Sequence, residues 1–334
     1  MSSSSYLVKG FRFSGISAGI KATGVPDLAL IVSDHPAVAV GLFTTNRVKA
    51  APVLVSEKNI RGGIARAILV NSGNANACTG RRGLRDAERM TRKAARLLRV
   101  PPRQVLVCST GKIGVPLPIG KILQKLPEAV KKLSPTRLLK SARAILTTDN
   151  SVKAASWQGT VSGRPYRLVG FAKGAGMIEP HMATMLAFFV TDLKIDRRTA
   201  ATIFKRVVDQ TFNRISVDGD TSTNDTAVLL ANGLAGNPSF TASSRHGRQF
   251  QAGLRQVMEK LARQMVADGE GASKVIHILI RGARNDKEAR SAAYAIANSP
   301  LVKTAFFGED PNWGRIAAAA GRSGATLNPN RVDI

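Results

Sequence analysis

Apolar residues in the first half of the chain fall in short runs separated by turn formers. Residues 28–32, 38–43, 52–55, 67–70 and 105–108 are such runs, most of them bounded by Gly, Pro, Asn or Asp. Runs of this length with turn signals at their ends predict buried strands with few helices between them. Further on the period changes. Ile203, Phe204, Val207 and Val208 share one helical face over 199–212, and Phe250, Leu254, Val257, Met258, Leu261 and Met265 do so over 250–265. Asp268-Gly269-Glu270-Gly271 predicts the stop of the second helix. Residues 275–280 then read as a further buried strand carrying His277 as a core histidine. No repeat period or long linker interrupts the chain. The fold class expected is α/β, with multi-strand sheets packed on helices.

The stretch Lys173-Gly174-Ala175-Gly176-Met177-Ile178-Glu179-Pro180-His181-Met182-Ala183-Thr184-Met185-Leu186 stands apart. Gly174 and Gly176 permit backbone approaches that a Cβ would block. Pro180 disfavours helix at Glu179, so the chain should reach Thr184 extended. Residues 185–190 then predict a short strand buried on both faces. A hydroxyl at the mouth of a buried strand is a place for a nucleophile. A glycine turn leading into a core strand accounts for the same residues. Threonine is a weak nucleophile unless a base takes its proton, and a free N-terminal amine on the same residue is one such base. Cleavage between Ala183 and Thr184 would create it.

Charge adds one feature. Lys and Arg number 49 against 22 Asp and Glu, a formal +27. Nucleic-acid binding would call for stacking aromatics or a known module. Aromatics are only 5%, and no zinc-finger spacing or basic low-complexity tail is present. Much of the excess lies in 81–103, where Met90, Ala94, Leu97 and Leu98 mark one helical face and arginines surround it, a solvated face. The positive field suits anionic substrates. The polar N-terminus lacks a signal-peptide core and no apolar run is long enough to span a bilayer, so the expected compartment is the cytoplasm, with no membrane partner. Cys78 and Cys108 are expected as reduced, buried small hydrophobes.

Five polar clusters stand out: 71–76, 109–114, 147–150, 218–225 and 310–315. Polar loops at strand ends carry function on many rigid scaffolds, and each is also an ordinary turn. Gly111-Lys112 lacks the upstream glycine of a phosphate-binding loop. His35, His181, His246 and His277 show no metal-ligand spacing. Gly15-Ile16-Ser17-Ala18-Gly19 spells a nucleophile-elbow motif, but without the expected strand before it or helix after it.

The 173–186 stretch resembles the cleavage-site signature of the ornithine acetyltransferase family, the bifunctional glutamate N-acetyltransferases of arginine biosynthesis. Residues 15–47, 71–80, 109–118, 218–226, 268–276 and 310–315 resemble further blocks of that family in the same order. The resemblance implies the family's N-terminal-nucleophile-like sandwich and self-cleavage between Ala183 and Thr184. It divides the chain into an α chain, 1–183, and a β chain, 184–334, which stay associated as an α2β2 heterotetramer. Thr184 becomes the nucleophile that carries acetyl from N-acetylornithine to glutamate in a ping-pong cycle. Thr110 and Gly111 match the oxyanion hole. Thr147, Lys173, Thr184 and Glu270 match substrate-binding positions. No metal or organic cofactor is implied, and acetyl-CoA remains open as a co-substrate. His181 departs from the Asn usual before Met-Ala-Thr. The resemblance also implies further chain beyond Ile334 with two more substrate contacts, so the β chain is read as C-terminally truncated. Two other readings stay open: an N-terminal-threonine aminopeptidase or amidase, with water as acceptor, and a basic non-catalytic binding protein.

Overall fold

The computed structural model describes residues 3–179 and 185–334. Among the described residues, eight strands form one sheet: β1 (Phe11–Ile16), β2 (Leu28–Phe43), β3 (Ile64–Asn74), β4 (Val105–Lys112), β5 (Lys153–Val161), β6 (Arg164–Lys173), β7 (Leu186–Thr191) and β8 (Thr226–Ala231). Their order is β4-β3-β2-β8-β7-β6-β5, with β1 added on β2. β3–β4 and β7–β8 are parallel pairs, and the other pairs are antiparallel.

β2 joins the two halves of the sheet. Its first half pairs with β1, its second half with β8, and an irregularity falls between Val32 and Ala37. Pro36 lies in that irregularity and has no N–H to give a ladder. The runs 28–32 and 38–43, expected as separate strands, are therefore one bent strand.

Helices cover both faces. α1 (Ala51–Ile60), α2 (Gly80–Leu98) and α3 (Ile119–Lys131) bury their apolar sides with Leu28, Leu30, Leu69 and Val107. α5 (Arg197–Gln210) and α6 (Arg245–Ala267) pack Ile203, Phe204, Leu254 and Val257 against Leu168, Phe189 and Leu229. The next residues along β7 and β8, Phe188 and Val228, face the other way, into a core shared with Phe13 and with α4 (Leu138–Ala144). β7 and β8 are thus covered on both sides, which is why their sequences are continuous apolar runs rather than alternating ones. α7 (Asp286–Ala297), α8 (Pro300–Phe307) and α9 (Trp313–Gly321) hold a small cluster of their own around Ile296, Val302 and Ala319.

The mixed α/β class holds, as do the helices over 199–212 and 250–265 and the buried strand after Thr184. Several local expectations do not. Residues 52–55 belong to α1, not a strand, because Pro52 sits in the first helical turn, where its missing N–H costs nothing. Among the described residues, four helices, not few, interrupt the first half. Residues 275–280 form no strand and are largely exposed, Val275 and Leu279 by 57% and 61%, and His277 is exposed rather than core. The segment finds no ladder partner among the described residues, so its apolar pattern is not turned into a strand. Cys108 is buried as expected, but Cys78 is exposed. Gly15 and Ile16 do end a buried strand, β1, yet no helix opens after them. No described helix is long and apolar enough to cross a membrane.

Candidate active site

Strand register sets the frame. Lys173, the last residue of β6, pairs with Leu186 at the start of β7, and Leu186 pairs with Thr226 at the start of β8. Three strand ends therefore lie level, immediately beside the point where the chain enters β7. Residues 180–184, with the expected cleavage pair Ala183–Thr184 and His181, lie outside the described residues.

The chain is fixed on each side of that stretch. On the near side, the Asp218 carboxylate accepts the Met177 and Ile178 N–H groups, the latter at 2.9 Å. The Glu179 carboxylate accepts from the Ser216 hydroxyl at 2.9 Å and from the Asn298 amide at 2.9 and 3.0 Å. On the far side, the Met185 N–H donates to Asp225 Oδ1 at 3.0 Å. The polar loop 218–225 thus holds both ends, the role hidden in one of the five polar clusters.

Asn224 ties this loop to the β3–β4 pair. Its Nδ2 donates to Ala75 O at 2.7 Å and Ser109 O at 2.8 Å. Ser109 Oγ in turn donates to Asn71 Oδ1 at 2.6 Å. Thr110 and Gly111, the expected oxyanion-hole pair, follow at the end of β4, opposite Ser72 and Gly73. Gly111 has φ +132°, and a Cβ there would stand 2.3 Å from the Gly73 carbonyl carbon. Only glycine fits there.

Lys173 and Thr147 meet directly: the buried Nζ donates to Thr147 Oγ1 at 2.9 Å. Burial lowers the Lys173 pKa, and the neighbouring Asp149 carboxylate acts most strongly against that fall. Glu270 arrives from the end of α6. Its N–H donates to Ala175 O at 2.8 Å, and its carboxylate lies over Gly176, where a Cβ would be 2.7 Å from Oε1. That contact, not loop flexibility, is the reason for glycine at 176.

Four charged residues in this region had no role in the sequence reading. Asp225 is almost wholly buried and its Oδ2 has no hydrogen-bond partner among the described residues; burial drives its pKa well up. Burial would also raise Asp149 and Asp268, but in both the charge and hydrogen bonds of neighbouring groups win: Lys173, Lys153 and the Gly174 N–H for Asp149, and Lys153 for Asp268. Lys153 itself is fully buried. The Asp149–Lys153 spacing was the signal in the sequence, but outside a helix a four-residue spacing predicts no contact. Among the described residues, no group of His, Cys, Asp or Glu is arranged to hold a metal ion.

The arrangement gathers Thr147, Lys173 and Glu270, and places Thr110–Gly111 on a strand end tied by Asn224 to the residue beside Asp225. A buried ammonium, a carboxylate and a hydroxyl around the start of one buried strand can bind a small zwitterionic or anionic molecule and polarise a carbonyl.

Comparison with known proteins agrees in kind. The ArgJ family model matches residues 12–334. The arginine biosynthesis bifunctional protein ArgJ of Geobacter sulfurreducens is 51% identical over 327 residues, which span 98% of this chain and 83% of that one. The ArgJ protein of Thermotoga neapolitana is 46% identical over 333 residues, again 98% and 83% of the two chains. The crystal structure of the Bacillus halodurans ArgJ protein superposes with TM-score 0.50 at 38% identity, over 54% of this chain and 92% of that one. The chain belongs to the ArgJ family, the ornithine acetyltransferases of arginine biosynthesis.

Proposed function

We propose that this chain is a glutamate N-acetyltransferase that moves an acetyl group from N-acetylornithine to glutamate through an acetyl-threonine ester on Thr184. The observation that carries the reading is the hydrogen bond from buried Lys173 to Thr147, with Glu270 beside it, at the strand ends where the chain enters β7. Family membership supports the same activity.

Self-cleavage comes first. The Thr184 hydroxyl attacks the Ala183 carbonyl carbon, the C–N bond breaks, and an ester forms with a free α-amine on Thr184. Water hydrolyses the ester, leaving the Ala183 carboxylate and the hydroxyl. An α-amine titrates at about 7.7–8.0 in reference peptides, so it can serve as the local base near neutral pH. Acetyl transfer then repeats the attack on the acetyl carbonyl of N-acetylornithine. The Thr110 hydroxyl and Gly111 N–H receive the developing oxyanion, a role in which pre-aimed donors supply much of the rate. Ornithine leaves with the proton, and the amine of glutamate attacks the acetyl ester to regenerate Thr184. Lys173 holds the substrate α-carboxylate, Thr147 orients it, and Glu270 faces the amino group. The two chains, 1–183 and 184–334, remain joined and assemble as an α2β2 heterotetramer in the cytoplasm.

The test is the variant Thr184→Ala. It should appear as one uncut mass and transfer no acetyl, while the parent chain gives two masses meeting at Ala183 and Thr184. Acetyl transfer retained by the variant would remove Thr184 from its role. Acetate released from N-acetylornithine without glutamate would instead point to a hydrolase.

A further inference from the structure

One buried ionic cluster has no part in the reaction just described. The ammonium of Lys153, at the start of β5, lies 2.7 Å from Asp149 Oδ1 and 2.5 Å from Asp268 Oδ2, with the Lys153 and Asp149 side chains fully buried. The carboxylates do more than bind the lysine. Asp149 also accepts the Gly174 N–H at 2.7 Å and the Thr147 N–H at 3.1 Å. Asp268 also accepts the Asn150 and Ser151 N–H groups at 3.0 and 3.2 Å.

These contacts converge on three separate pieces of chain. Thr147 sits on the loop after α4, Lys173 ends β6, and Glu270 follows α6. Each is held at its own backbone or within two residues of it: Thr147 by its own N–H, Lys173 through Gly174, and Glu270 through Asp268. Burying charge is costly unless something compensates, and an apolar cluster would hold the same elements together without that cost. The cluster has a second effect that an apolar one would lack. Lys173 faces Asp149, Asp225, Lys153 and Glu270, and Lys21 of the loop after β1 also lies in its field. Of the three acids, Asp225 is driven towards its neutral form by burial and Glu270 is exposed to screening solvent. Asp149 is left as the buried anion that opposes the desolvation of Lys173, while Asp268 balances Lys153.

We propose that Asp149 is the positioning residue of the subsite for the substrate α-carboxylate, fixing Thr147 and Lys173 to each other through the Thr147 and Gly174 N–H groups and setting a buried carboxylate beside the Lys173 side chain. This rests on the reading that Lys173 receives that carboxylate. Without Asp149 the buried lysine loses its proton at lower pH and offers no charge to N-acetylornithine or glutamate.

The test is steady-state transfer by the full chain carrying Asp149→Asn, which keeps the shape and an acceptor for Gly174 but removes the charge. KM for both substrates should rise about tenfold or more at neutral pH with kcat changed far less, the pattern of lost ground-state binding. The alkaline limb of 1/KM should move to lower pH. N-acetylputrescine, which lacks the α-carboxylate, should be used as donor equally poorly by parent and variant. An unchanged KM and an unmoved limb, with only kcat reduced, would mean that Asp149 is merely structural. The parent chain alone gives a second check should the variant fail to fold: its KM for both substrates must stay low through neutral pH and rise only on an alkaline limb, and a KM already raised at neutral pH, as for an uncharged Lys173, overturns the proposal. A parent chain that transfers no acetyl from N-acetylornithine would overturn the underlying reading and this inference together.

Discussion

At the scale of single residues, the site is defined by how little room it leaves. Gly176 touches the Glu270 carboxylate, so Gly176→Ala should push that carboxylate aside rather than unfold the chain, since the clash is with the far end of a flexible side chain. The expected result is a fall of about tenfold in kcat/KM, or roughly 1.4 kcal/mol of transition-state stabilisation, with an unchanged unfolding midpoint. Asp225 allows a prediction with a definite sign. Burial raises its pKa in the folded state above that of the unfolded chain. The unfolded state therefore releases its proton first as pH rises, and stability falls from about pH 4 up through the folded-state pKa. Asp225→Asn cannot ionise and escapes that loss. Its melting temperature should match the parent near pH 4 and exceed it by about 1–2 °C at pH 8, corresponding to ~1 kcal/mol in a chain of this size. A parent advantage at pH 8 would show that the carboxylate is ionised and favourably bound. Little of this could be read from the sequence. Thr110, Gly111, Thr147, Lys173 and Glu270 were found through resemblance to known blocks, whereas Asp149, Lys153, Asp225 and Asp268 matter through burial, which no spacing encodes.

At the scale of elements, what could be read depended on whether the local pattern was also the tertiary one. β7 was legible because both of its faces are covered, so its apolar run needed no knowledge of its partners. α5 and α6 were legible because each buries one face at helical spacing. α1 was misread since its β-branched Val53 and Val55 favour strands, and only the place of Pro52 in the first turn argues otherwise. Residues 275–280 show the opposite error: a strand-like sequence without a strand to pair with. Their amides lack backbone partners among the described residues, so in hydrogen exchange they should lose protection within the fastest class while β7 and β8 stay among the slowest. Slow exchange over 275–280 would show that the segment does acquire a ladder in solution. The core of the second half depends on one ring in particular. Phe189 meets Phe204 at 5.8 Å and Phe212 at 6.2 Å between centroids, and Phe189→Ala should cost about 3–5 kcal/mol in urea unfolding.

At the scale of the whole molecule, the sheet decides what self-cleavage can do to the fold. The expected cut falls between β6 and β7, yet β7 lies between β6 of the first chain and β8 of the second, and β8 pairs in turn with β2 of the first. The second chain is therefore enclosed in the sheet on both sides by strands of the first. Phe188 and Val228 add a core shared with Phe13, Ile31 and Phe171. Cutting one peptide bond removes none of these contacts and frees only the ends at the cut. Separation of the chains requires opening two strand pairs and that core at once, so it should coincide with unfolding rather than precede it. Size-exclusion chromatography of the cleaved protein in rising urea, followed in parallel by far-ultraviolet circular dichroism, measures both events. The two fragments should co-elute up to the unfolding transition and part within it. Fragments that part while the dichroism is still native would mean that each chain folds on its own, and that the mixed sheet is an interface between two domains rather than the core of one.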